Sequence, residues 1–145
     1  MPRDCYEPYQ KHVDYMIQAY EDILNSKLSH VVTAIAHPFD AVACPYDNSI
    51  LIDMISDDCF KRLFDKTAQK GIGVEINMSG IAKQTPEGIA ARSDMRMFRL
   101  AKECGCKCIF GSDAHDDQMH EIYNRSDIVA DIIGLKEEDI LEIAR

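Results

Sequence analysis

Apolar side chains at Val13, Met16, Ile17, Tyr20, Ile23 and Leu24 recur at helical spacing, which predicts a first helix from about Tyr6 to Ser26. The run Val31–Ala36 is short, β-branched and continuously apolar, as in a strand buried on both faces. Pro38 cannot donate to an inner ladder, so that strand should end at His37. Ser56 can cap a second helix, with Asp57 and Asp58 favourably placed in its first turn and Cys59, Phe60, Leu63, Phe64 and Ala68 on its apolar face. Gly71 supplies a stop, and Ile72–Asn77 reads as a second strand. Residues 79–93, with Gly80, Pro86 and Gly88, read as a long irregular connection. Met95, Phe98 and Ala101 mark a third helix closed by Gly105, before a third strand over residues 106–112. Ile122, Val129, Ile132 and Ile133 belong to a further helix ended by Gly134. In the last segment acidic residues precede Ile140, Ile143 and Ala144 at helical spacing, which predicts a final helix.

Strands alternating with helices of this length predict an α/β fold of about three βα units. The strands should be parallel, joined by right-handed crossovers and covered by helices. In such folds ligands bind at the carboxyl ends of the strands. His37 stands at the first predicted strand end, Glu75 and Asn77 at the second, and Asp113 and His115 just after the third. Residues i and i+2 of an extended segment project to one side, so Asp113 and His115 can meet one ion, with His37 adding a nitrogen. A mixed His/Asp set suits zinc, manganese or iron better than calcium. Each residue also has a plainer reading. Ser112 or Asp113 can cap a helix, His37 can be a buried strand-end histidine, Glu75 can sit at a solvated rim, and Asn77 can form a turn. Their joint position at three strand ends favours a site. His12, His30 and His120 read as structural or solvent-exposed.

The chain has 145 residues, enough for one domain, and 46% of them are hydrophobic. Its 16 basic and 25 acidic side chains leave a net charge of −9, which disfavours nucleic-acid and anionic-membrane partners. The start has no signal-peptide layout and no stretch is apolar enough to span a bilayer, so the expectation is a soluble cytoplasmic protein with reduced thiols. Cys104, Cys106 and Cys108 lack further clustered ligands, and Cys106 and Cys108 read as small core residues rather than a zinc site. Cys44 lies seven residues beyond His37, but nothing in the sequence orients the two as a nucleophilic pair.

Three segments together resemble a known family: AHPFD around His37, GVEINMSG around Glu75, and GSDAHDD around Asp113 and His115. With LAKECGCKCIFGSDAH they are similar, in order, to the later motifs of the polymerase and histidinol phosphatase (PHP) domain. The resemblance implies part of a distorted (β/α)7 barrel that binds a cluster of divalent metal ions and hydrolyses phosphate esters. It implies His37, Asp113 and His115 as metal ligands and Glu75 and Asn77 as pocket-lining residues, with Glu75 orienting a ligand or lining the pocket. Family members open with a His-x-His motif, which is absent here, so the chain resembles the C-terminal half of such a domain. The expected partners are a small phosphorylated substrate and either a second copy or the N-terminal half. The alternative is a non-catalytic oligomerisation or interaction module derived from the same domain.

Overall fold

The computed structural model describes residues 9–40, 47–81, 84–114 and 125–142. Helix α1, Tyr9–Asn25, buries Val13, Met16, Tyr20 and Leu24, the predicted stripe, and also His12. A 3-10 turn, Ser29–Val31, leads into strand β1, Ala34–Ile35. Two capped helices follow: α2, Asn48–Asp53, begins on the Asp47 carboxylate, and α3, Asp57–Gln69, on the Ser56 hydroxyl. Strand β2, Gly73–Asn77, then α4, Pro86–Ala90, and α5, Ser93–Glu103, lead to β3, Cys108–Gly111. Helix α6, Ser126–Ile133, ends at Gly134, whose φ of 74° supplies the left-handed cap. The three strands form one parallel sheet in the order β1-β2-β3. The fold is thus mixed α/β with parallel strands joined through helices. No described helix is long and apolar enough to cross a membrane.

The two faces of the sheet differ. Register places Ile35, Val74 and Cys108 side by side, and with Ile76 they are buried in one apolar cluster with Phe60, Leu63 and Phe64. The opposite face carries Ala34, Glu75, Asn77, Ile109 and Gly111, which stay partly exposed. A Cβ at Gly73 would lie 3.2 Å from Leu141 Cδ2, so Leu141 covers this face at its amino end. The carboxyl end is left to Glu75 and Asn77.

Helices α1 and α3 are joined through a buried polar pair. Thr67 Oγ1 donates to the Leu63 carbonyl at 2.8 Å, which leaves its oxygen to accept from the Tyr20 hydroxyl at 3.0 Å. Burial raises the Tyr20 pKa despite that bond. Tyr20 stacks on Phe39 with centroids 4.6 Å apart, and Phe39 meets Phe60 edge-on at 5.1 Å. An aromatic from the loop after β1 is thereby built into the helical core.

Several expectations are corrected. The first strand is two residues long rather than spanning Val31–Ala36, because Val31 and Val32 donate to Leu28 and Ser29 in a tight turn. Val31 is 65% exposed, so the run is not buried on both faces. The connection over residues 79–93 contains α4, started by the Thr85 hydroxyl on Gly88 N with Pro86 in the first turn. Helix α2 was not anticipated. The third strand is shorter at both ends than residues 106–112. The last segment is not helical at Ile140: Asp139 accepts from Lys136 N and closes a 3-10 turn over Glu137–Asp139. Ile140 then bridges Cys108 in parallel, with Leu141 N donating to the Cys108 carbonyl at 2.8 Å. Ile122, Ile143 and Ala144 lie outside the described residues.

Candidate functional site at the strand ends

All three strands deliver their carboxyl ends to one edge, and the backbone there is strained. His37 has φ 48° and Phe39 φ 56° in a turn closed by Asp40 N on the His37 carbonyl at 3.0 Å. Left-handed geometry costs about 1–2 kcal/mol per non-glycine residue. Burying Phe39 contributes about 1.5–3 kcal/mol, and each favourable aromatic pair about 0.5–1.5 kcal/mol more. The ring therefore offsets the strain that presents His37. Asp113, beyond β3, is likewise left-handed at φ 51°, and Ala114 N donates to Ser112 Oγ at 3.1 Å.

Glu75 ties these ends together from the central strand. Its Oε2 accepts from His37 N at 2.7 Å. On the other side it lies over β3 so closely that a Cβ at Gly111 would stand 1.8 Å from Oε1. Only glycine leaves room for the carboxylate. Glu75 is thus a clamp on the His37 loop.

Asn77 fixes the imidazole. Its Oδ1 accepts from Ser79 N at 2.8 Å, which turns Nδ2 towards His37 Nδ1, also at 2.8 Å. In this arrangement Nδ1 accepts, and a neutral ring carries its hydrogen on Nε2. Nε2 lies 3.8 Å from Asp113 Oδ1, and Nδ1 lies 3.6 Å from Asp40 Oδ2.

The structure therefore brings together His37, Glu75, Asn77 and Asp113. His115 lies outside the described residues, as do Cys44 and His120. Among the described residues no group of three or more His, Cys, Asp or Glu side chains is arranged to hold a metal ion. His37 Nε2 and Asp113 Oδ1 are spaced as two ligands of one ion can be, given bonds of about 2.0–2.2 Å. The fit to a metal is that of a partial shell. Nε2 becomes a ligand once Nδ1 carries the hydrogen instead, which requires Asn77 Nδ2 to turn away and Asp40 Oδ2, 3.6 Å from Nδ1, to move closer to accept it.

A cavity of about 160 Å³ opens beside His37 and Asn77 and is walled by Asp40, Arg92 and Phe98. Sequence reasoning missed Asp40, Arg92 and Gly111. Asp40 was readable as part of the turn after the strand; the other two depend on register and on loop packing.

Among the described cysteines, Cys106 and Cys108 are core residues, and Cys59 and Cys104 pack against the core while partly exposed. Cys106 Sγ donates to the Phe64 carbonyl at 3.3 Å, and burial pushes the thiols of Cys106 and Cys108 up to about 12. Cys104 is partly exposed, with its thiol pushed up to about 11, again chiefly by burial. Cys59, Cys104, Cys106 and Cys108 are free thiols. His12 is fully buried in α1 and burial lowers its pKa, whereas His30 is exposed, so both take the roles expected from the sequence. Comparison of the chain with protein families, curated proteins and solved structures yields no match.

Proposed function

We propose that the strand-end cluster is the metal-binding half of a phosphoesterase site of the polymerase and histidinol phosphatase type, on a sheet forming part of a distorted (β/α)7 barrel. The supporting observation is the meeting of His37, Glu75, Asn77 and Asp113 at one carboxyl edge, with His37 Nε2 3.8 Å from Asp113 Oδ1. In this reading His37, Asp113 and His115 hold a divalent ion of zinc, manganese or iron. Such an ion lowers the pKa of bound water and neutralises charge on a phosphate ester. Glu75 holds the backbone of His37, and Asp40 takes the Nδ1 hydrogen when Nε2 serves as a ligand. The substrate is a small phosphorylated molecule and the compartment is the cytoplasm. An incomplete shell fixes an ion poorly, so the chain alone binds metal weakly and turns over slowly.

The open edge of β1 adds self-association. β1 pairs only with β2 among the described strands, and the neighbouring Leu28 and Val31 are each 65% exposed. The same features favour the second reading, a non-catalytic oligomerisation module. Elemental analysis after dialysis against zinc or manganese, with hydrolysis of p-nitrophenyl phosphate, separates them. The enzyme reading expects bound metal that falls in His37→Ala, Asp113→Asn and His115→Ala, and slow metal-dependent turnover. Unchanged metal content in all three variants sinks it, while light scattering at micromolar concentration reports the association.

A further inference from the structure

We propose that Arg92 is an anion-binding residue for the substrate's phosphate, on the wall of the cavity that His37 also lines. This deepens the phosphoesterase reading and rests on it for the identity of the anion.

Arg92 occupies a junction. The 160 Å³ cavity beside His37 and a larger one of about 410 Å³ share Asn48, Ile52, Arg92 and Asp94 as walls. Arg92 is thus one of four residues that line both spaces. The larger cavity is mostly polar, with Asp47, Ser49, Gln84 and Ser93 among its lining residues, and suits the body of a small polar ester better than an apolar one.

The guanidinium is preorganised but not used up. Nε donates to Asp94 Oδ1 at 2.9 Å, Nη2 to Asp94 Oδ2 at 2.6 Å, and Nη1 to the Gly80 carbonyl at 3.2 Å. A guanidinium has five N–H donors, so these bonds leave one hydrogen on each terminal nitrogen. Gly80 faces the same two nitrogens, where an added Cβ would stand 3.4 Å from Nη1 and 3.5 Å from Nη2, and its lack of a side chain leaves these hydrogens approachable by phosphate oxygens. Asp94 takes one side of the fork and fixes its plane, so little side-chain freedom is lost when an anion takes the other. Arg92 is part-buried, with a side-chain exposure of 29%, which places the charge at a wall rather than in open solvent. Asp94 pairs with it and Asp40 and Asp47 lie nearby, so these carboxylates repel a free anion and binding depends on the remaining hydrogens alone.

The test is titration of the full chain with inorganic phosphate by calorimetry, with and without added manganese, beside Arg92→Met, Arg92→Lys and His37→Ala. Circular dichroism checks that each variant is folded. The expected result is saturable phosphate binding whose Kd rises about tenfold or more in Arg92→Met, with partial recovery in Arg92→Lys and manganese content unchanged in both. A purely structural role for Arg92 predicts lowered melting temperature with native phosphate affinity in the folded Arg92→Met and Arg92→Lys variants alike, and overturns the inference. So does a native chain that never saturates with phosphate at millimolar concentration. Manganese binding with Arg92-indifferent phosphate binding removes the inference and leaves the phosphoesterase reading. Arg92-dependent phosphate binding without any metal removes that reading and leaves the anion site.

Discussion

At the scale of single residues, the site depends on one glycine and one amide. Gly111 is partner in register to Asn77, and its missing side chain is the space that Glu75 fills. Gly111→Ala should therefore destabilise by about 1–3 kcal/mol through overpacking, and it should free the His37 amide from its carboxylate acceptor. Adding Glu75→Ala removes the clash, so the double variant should recover at least part of that loss. Urea unfolding of the four-member cycle measures the coupling, and strict additivity would show that the two residues do not meet. Asn77→Asp acts on the imidazole. A carboxylate at that position accepts from Nδ1 instead of donating to it, which places the lone pair on Nε2 towards Asp113. Zinc affinity should rise about tenfold, the lower end of the range for groups that orient a metal-bound histidine. Competition titration against a chromophoric chelator gives the number, and a weaker affinity in the variant contradicts the assignment of Nε2 as ligand.

Among the elements, the loop carrying His37 owes its place to Phe39 rather than to β1, which is only two residues long. Phe39→Leu shrinks a buried side chain and removes its ring contacts, so it should cost about 1–3 kcal/mol, and should weaken zinc binding as well. Leu63→Val, in the same core but away from the loop, should lower stability by a similar amount with zinc affinity kept. Equal zinc affinity in both variants would detach the aromatic anchor from the site. The same loop shows which elements were legible in the sequence. Helices α3 and α5 were, because their apolar stripes are long and Ser56 caps the first. β1 was overread, since Val31 and Val32 carry strand propensity but their backbone amides close a local turn. Helices α2 and α4 are short, and their signals are the caps at Asp47 and Thr85 rather than a periodicity. Ile140 was misread because helical spacing is local, whereas its pairing with Cys108 spans the fold. The strand-end residues of the site could be placed from strand order alone; the Glu75–Gly111 contact needs the register, which no spacing rule supplies.

For the whole molecule, buried titratable groups define a pH window of stability. His12, fully buried in α1, has its pKa lowered by desolvation from the ordinary 6.5. Between that lowered value and 6.5 the unfolded chain binds the proton that the folded chain refuses. Its contribution is complete above pH 6.5 and is lost as the pH falls to the folded value, at about 1.4 kcal/mol per pH unit across that interval. Cys106 and Cys108 act in the opposite sense. Burial pushes both from 9.0 up to about 12, so above pH 9 the unfolded chain releases protons that the folded chain keeps. Each thiol then removes about 1.4 kcal/mol per pH unit until the folded value is reached. Raised by burial, Tyr20 adds to the same alkaline loss once the unfolded phenol ionises near its ordinary 10.0. Urea midpoints should therefore form a plateau between pH 6.5 and 9 and fall on either side, more steeply on the alkaline side, where several groups act together. His12→Gln should flatten the acid limb and Cys106→Ala/Cys108→Ala the alkaline one, each leaving the other limb in place. An acid limb unchanged in His12→Gln would assign it to the carboxylates, and an unchanged alkaline limb in the double variant would mean that the two thiols are not held protonated by the core.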